Sequence, residues 1–199
     1  MKKAYIFVLG GSGTLLLSMF LFVLTPRLQV SEVDKAGISA QAPYTERQLV
    51  GRQLYIKYGC IYCHSQQVRD PVAGADAKLG WGPPSRPSDY IYDKPHLLGT
   101  SRTGPDLSNV GSRQPSRDWH HLHLYSPRDV VDWSIMPAFR FLYSEVTSQD
   151  APVEGALQKP GENETWLIPS EEAEALVDYL TALKRDGEPV SAERSEEGP

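Results

Sequence analysis

Apolar residues crowd the start of the chain and then recur only at helical spacing. Residues 4 to 25, Ala4 through Thr25, carry no charge. At ~1.5 Å per residue such a run spans about 33 Å as a helix, enough for the hydrocarbon core of a bilayer. A cleaved signal peptide has a shorter apolar region and a small-residue cleavage site, so residues 1–25 read as a retained transmembrane anchor. Lys2 and Lys3 precede the run and Arg27 follows it. That bias leaves the N-terminus cytoplasmic and the bulk of the chain outside. The Gly10-Gly11-Ser12-Gly13 patch either lets a neighbouring helix approach closely or is ordinary membrane-helix glycine.

Beyond the anchor the pattern changes twice. Residues 26–44 are polar and without helical period, the pattern of a linker. Leu49, Val50, Leu54 and Ile56, with Tyr55 and Tyr58, then predict a helix running toward Cys60. A closing helix is marked by Ser170 as its cap, Glu171 and Glu172 in its first turn, and an apolar stripe of Ala173, Leu176, Val177, Leu180 and Leu183. Lys184 and Arg185 follow, the sign of charge that a helix C-terminus favours. The stretches 65–98 and 144–169 are polar and rich in proline or glycine, and read as long loops of the kind that serve as partner surfaces. The prediction is a mainly α domain over 45–185, of ordinary single-domain length. A disordered tail over 186–199 follows, rich in charge, glycine and proline.

Charge narrows the function. The formal net charge is −5 and no basic stripe with interleaved aromatics appears, which argues against nucleic acid. Cysteine narrows it further, because Cys60 and Cys63 are the only two and His64 follows at once, in the string CIYCH. Two thiols at this spacing can each bond a haem vinyl group, with the adjoining imidazole held beneath the iron. A zinc site would have to draw further ligands from His96, His120, His121 and His123. A thiol redox pair would want a strand-to-helix setting and no following histidine.

A low-spin haem iron needs a sixth ligand, usually methionine or histidine. Met1 is the start and Met19 lies in the anchor, which leaves Met136. It sits in Ser134-Ile135-Met136-Pro137, just after a predicted short helix with Ser126 as N-cap, Pro127 at its first position and Asp129 at its third. The residue before a proline is driven into an extended conformation, which suits a side chain projecting from a loop. The alternatives are a methionine that only fills the core, and ligation by a histidine between 120 and 123.

Thr103-Gly104-Pro105-Asp106-Leu107, with Gly111 and Arg113, resembles the segment that follows the haem motif in class I cytochromes c. That resemblance implies that the Pro105 carbonyl accepts a hydrogen bond from the free ring nitrogen of His64 and that Arg113 lies near a haem propionate. It also implies a crossing of the first and last helices, with Gly51 and Tyr55 facing Tyr179 and Leu180. By themselves, Gly-Pro marks a turn and Arg113 is a solvated charge.

A longer set of residues carries a narrower resemblance. Pro43-Tyr44-Thr45, Gly51-Arg52, Tyr55-Ile56, Gly59 through Gln66, and Val68-Arg69 are similar to the haem segment of the monohaem subunit of cbb3-type cytochrome c oxidases. So are Tyr92 to Gly99, Arg102 to Leu107, Val110-Gly111, Trp119-His120, His123-Leu124, Pro127-Arg128 and Ser134 to Pro137. The resemblance covers residues 1 to about 143 and implies one covalent haem c, with His64 and Met136 as iron ligands. It further implies electron relay into a catalytic haem-copper subunit that reduces oxygen to water, from a dihaem subunit or a soluble cytochrome c. Lys78-Leu79-Gly80, Trp81 to Tyr90 and Ala138 to Leu142 depart from the family pattern, and Thr100-Ser101 replaces the order associated with a shared calcium ligand, which is not carried over. The rivals are the cytochrome subunit of a nitric oxide reductase and a free-standing anchored electron carrier.

Overall fold

The computed structural model describes residues 2–36, 38–99, 101–149, 154–187 and 190–191. It opens with one long helical run: α1 over Lys2–Met19, a π-helical turn over Phe20–Leu24 and α2 over Thr25–Ala36. The segment Lys3–Gln29 is long and apolar enough to cross a membrane, and no part of it is buried within the protein. The π turn sits just ahead of Pro26, which has no N–H to give the ladder. Thr25 donates both its backbone N–H and its hydroxyl to the Phe20 carbonyl, the latter at 2.9 Å. The expected linker is therefore helical as far as Ala36. Once a helix is nucleated, each added residue is cheap, so the polar stretch extends it without needing an amphipathic stripe. Ile38–Ser39, strand β1, then pairs antiparallel with Val190–Ser191, strand β5. The start of the predicted tail is thus folded back on the linker, and Asp186 also accepts a 2.8 Å bond from the Ser112 hydroxyl. The rest of the predicted tail, residues 188–189 and 192–199, lies outside the described residues.

Helix α3, Glu46–Lys57, begins at a capping box in which Thr45 and Gln48 bond reciprocally. Helix α4 covers Val110–Arg113, α5 Arg117–Tyr125, α6 Pro127–Val130 and α7 Glu171–Ala182. Ser170 caps α7 by accepting from the Ala173 N–H at 3.2 Å. Helices α3 and α7 cross where Gly51 lies flush against the Ala175 carbonyl and the Tyr179 Cβ, leaving no room for a side chain. Tyr55 meets Tyr179 edge-on there at 5.7 Å. The main core, including Leu107, Leu124, Leu176 and Leu180, is built around this crossing.

Two expectations about the chain between and beyond these helices need correction. Helix α7 stops at Ala182, so Lys184 and Arg185 are not in its last turn. Arg185 is instead buried and paired with Asp93, which also holds Arg52 Nε at 3.0 Å. The stretch 144–169 is not a loop: Tyr143–Thr147 (β2), Leu157–Gln158 (β3) and Thr165–Pro169 (β4) form an antiparallel sheet in the order β2-β4-β3. Leu157 and Leu167 pair across it and pack on Tyr125, so the sheet has a small core of its own. The 65–98 stretch is irregular apart from two short 3-10 turns, yet it buries Val68, Tyr90, Ile91 and Leu97.

Candidate functional site

The site begins where α3 ends. Gly59, at φ +76°, turns the chain in a left-handed conformation that side chains rarely adopt, and Cys60–Tyr62 follow as a single 3-10 turn. Both the Cys63 and His64 N–H groups donate to the Cys60 carbonyl, at 3.2 and 2.9 Å. This local winding presents Cys60, Cys63 and His64 to one cavity of about 350 Å³. The cavity is within the size range of small-molecule and cofactor sites. Pro105, Leu107, Arg113 and Met136 line it as well, so folding brings every candidate site residue to one place.

The His64 ring is held from behind. Its Nδ1 lies 2.8 Å from the Pro105 carbonyl oxygen, which can only accept, so the proton is on Nδ1 and the lone pair on Nε2. Burial lowers the pKa of His64 against the opposing pull of that carbonyl, and the imidazole is neutral at neutral pH. Gly104 passes so close that a Cβ there would come within 2.7 Å of Nδ1, and its N–H donates to the Cys63 carbonyl at 2.8 Å. The result is a fixed neutral imidazole with one free lone pair, the form a metal accepts.

Met136 lines the same cavity from the loop after α6, partly buried and packed on the main core. Its N–H is held by the Ser134 hydroxyl at 3.2 Å. The three rival histidines lie on α5 and have different surroundings. His121 points away, toward the Tyr143 hydroxyl at 3.1 Å and Glu174. His120 lines the cavity, but its Nε2 is 2.8 Å from the Gln114 carbonyl, and burial lowers its pKa to about 4. His123 also lines the cavity and stacks flat on Trp119 at 4.7 Å. Burial lowers its pKa to about 4 too, and its Nδ1 is buried with no partner. The sequence leaves Met136 and the histidines as rivals, and Met136, His120 and His123 all line the cavity, with the His120 Nε2 engaged by the Gln114 carbonyl.

The donor set fits a haem. Leu107, Val110, Leu124, Val131, Phe139 and Leu180 supply apolar walls. Arg113 gives one guanidinium nitrogen to the Asp106 carbonyl while its buried Nε has no partner, a donor suited to a carboxylate. The competing chemistries fit less well. Burial pushes the Cys60 thiol up to about 11, with Cys63 adding to the effect, whereas a reactive thiol pair needs a lowered value. Among the described residues no three His, Cys, Asp or Glu side chains converge as a metal site, and His96 is exposed beside Tyr90. Trp119, which the sequence marks only through the family resemblance, and Trp133, which it does not mark, also line the cavity; their approach depends on how α5 and the Met136 loop pack.

Residues 3–159 match the family described as cytochrome c oxidase, mono-haem subunit/FixO. The chain belongs to the FixO family. Members are mono-haem subunits of a cytochrome c oxidase complex, and the match takes in the apolar N-terminal helix and every candidate residue at the cavity. It ends before β4 and α7, so the helix that closes the core against α3 lies beyond the FixO match. No curated protein matches the chain.

Proposed function

We propose that the chain carries one covalent haem c, bonded through Cys60 and Cys63 and ligated by His64 and Met136. It passes single electrons to the catalytic haem-copper subunit of a cbb3-type oxidase. The haem, when bound, supplies the one-electron chemistry. The protein supplies the rest. His64 offers Nε2 while Pro105 holds Nδ1–H and sets the basicity of the ring. The Met136 thioether raises the potential, as suits a late step in a respiratory chain, and Arg113 receives a propionate. The apolar walls keep the site dry and the electron localised.

In this reading the chain does not itself reduce oxygen. Electrons arrive from a dihaem subunit or a soluble cytochrome c and leave for the catalytic subunit, which makes water. The N-terminal helix anchors the protein in the cell membrane with its N-terminus cytoplasmic and the haem domain outside. FixO membership favours this over a nitric oxide reductase subunit or a free-standing carrier.

The supporting observation is that Cys60, Cys63 and His64 share one turn on a cavity that Met136 also lines. Denaturing electrophoresis with a peroxidase haem stain tests it. A coloured band is expected at 22.2 kDa, lost in Cys60→Ser/Cys63→Ser; a stain-negative native chain that retains zinc overturns the reading. For the complex, copper with b-type haem in the purified assembly marks an oxidase, and non-haem iron a nitric oxide reductase.

A further inference from the structure

Behind His64, outside the cavity lining, lies a carboxylate that the proposed chemistry does not use. Asp106 is fully buried, and its side chain faces backbone on both sides of the His64–Pro105 hydrogen bond. Oδ2 accepts from the Ser65 hydroxyl and from the Gln67 N–H, each at 2.7 Å. Oδ1 accepts from the Ser108 N–H at 2.8 Å. The same two stretches are laced by backbone bonds, Gly104 N–H to the Cys63 carbonyl and Leu107 N–H to the Ser65 carbonyl, both 2.8 Å.

Asp106 accepts all three of these bonds, the acceptor role of a carboxylate. Burying its charge is offset by Arg102, whose guanidinium lies 4.0 Å away and is itself paired with Asp76. Ser65 directly follows His64 and Asp106 directly follows Pro105. The carboxylate therefore fixes the distance between the imidazole and the carbonyl that orients it.

We propose that Asp106 is a positioning residue for His64: it holds the Pro105 carbonyl in register with the ring and so sets the donor strength of the imidazole toward a bound haem iron. This rests on the reading of His64 as an iron ligand. Removing the clamp loosens the Nδ1–H bond and deletes a negative charge beside the ring. Both make the imidazole a weaker donor to ferric iron, so both shift the midpoint potential upward.

The test uses the full-length, haem-loaded chain in detergent with 15N-labelled histidine. Nδ1–H exchange of His64 is read by NMR in the reduced protein, and the potential by titration. Asp106→Asn, which places an amide donor against N–H donors, is expected to speed Nδ1–H exchange by about tenfold, the weight of one hydrogen bond, and to raise the potential. Ser65→Ala, which keeps the charge, is expected to move both readouts the same way by less, and decides the matter if Asp106→Asn fails to load haem. Leu157→Ala, a cavity in the distant sheet cluster, controls for lost stability and is expected to move neither. Wild-type exchange and potential in the Asp106 and Ser65 variants, with melting lowered as in the control, would make the carboxylate structural only and overturn the proposal. A wild-type chain without haem, or without His64 ligation, would instead defeat the parent reading before any variant is compared.

Discussion

Gly104→Ala is the sharpest test of the back wall of the site. Gly104 is not among the glycines with positive φ, so alanine suits its backbone and even removes some freedom from the unfolded chain, worth about 0.4–1 kcal/mol of stability. The cost is spatial. The new Cβ would lie 2.7 Å from His64 Nδ1 and 2.9 Å from Nε2, against an ordinary separation of about 3.5–4.0 Å. The ring must swing away by roughly 1 Å, and its 2.8 Å bond to Pro105 does not survive that. Overpacking costs about 1–3 kcal/mol and the lost hydrogen bond about 1 kcal/mol more, which after the unfolded-state gain leaves a net loss of ~1–3.5 kcal/mol. For a domain of this size that lowers the melting temperature by about 3–14 °C. The assay is a thermal melt followed at the haem absorption band, paired with a redox titration, on the full chain. Gly104→Ala is expected to lower the melt and raise the potential together. Gly111→Ala, whose Cβ meets the backbone at Thr181 and Leu183, is expected to lower the melt alone, and Gly13→Ala, in open space on the anchor, neither. A Gly104→Ala protein with wild-type melting and potential would refute the claim that His64 is held against Pro105.

The axial partner is decided by comparing Met136→Leu with His123→Ala: the first is expected to keep covalent haem but lose the weak long-wavelength sulfur-to-iron band and fall in potential, the second to keep that band. If Met136→Leu shows wild-type spectra and His123→Ala turns high-spin, the assignment is wrong. Asp93→Asn strands the buried Arg52 and Arg185 guanidinia without their shared carboxylate and is expected to cost about 3–5 kcal/mol by denaturant titration; a loss under about 1 kcal/mol would mean the pair behaves like a surface one. His120 has a folded pKa of about 4, below its ordinary 6.5, so the unfolded chain binds its proton first. Its contribution is fully present above pH 6.5 and is lost as pH falls toward 4. His120→Gln is expected to flatten the acid loss of stability over that window by up to about 3 kcal/mol, and an unchanged profile between pH 7 and 4.5 would show that His120 is not buried neutral.

The helical frame was legible because it is written locally. Ser170 ahead of Glu171 and Ser126 with Pro127 are start signals written within a few residues, and α7 and α6 start there, although only Ser170 makes a side-chain cap bond. The string CIYCH is likewise local, and one turn winds it toward the cavity. The sheet was missed because its evidence is split. Tyr-Ser-Glu-Val-Thr and Thr-Trp-Leu-Ile-Pro each have strand composition, but they lie 17 residues apart at their facing ends and pair only once folded. Arg185 was misread for a related reason: three residues past the helix end it looks like a dipole partner, and its true partner, Asp93, is 92 residues away. The extension of α2 to Ala36 was missed because a polar helix continuing an apolar one needs no stripe of its own.

The 65–98 stretch changes meaning in the folded chain. As a sequence it reads as a long polar loop offered to a partner. In the structure five of its polar residues, Ser65, Gln66, Asp76, Asp89 and Asp93, are buried, and several of them brace the segment that bears His64. Tyr90 donates its hydroxyl to the Gln66 carbonyl at 2.8 Å, Asp76 pairs with Arg102, whose guanidinium also lies over Trp81, and Asp93 ties the stretch to α3 and to the chain after α7. Polarity in a loop usually signals water, but here buried arginines take the place of water as partners. If the chain relays electrons as proposed, such bracing would serve it, because a ring held rigidly would have little to reorganise when the charge on a bound iron changed. Apolar side chains left exposed include Val72 on the loop tip, 98 % exposed, and Leu79 on the same stretch, and Tyr62, Trp133 and Ile135 near the cavity. In the proposed relay a partner would come nearest the site at Trp133 and Ile135, since both are part of the cavity wall itself, whereas Val72 is on the bracing segment and lines no part of it.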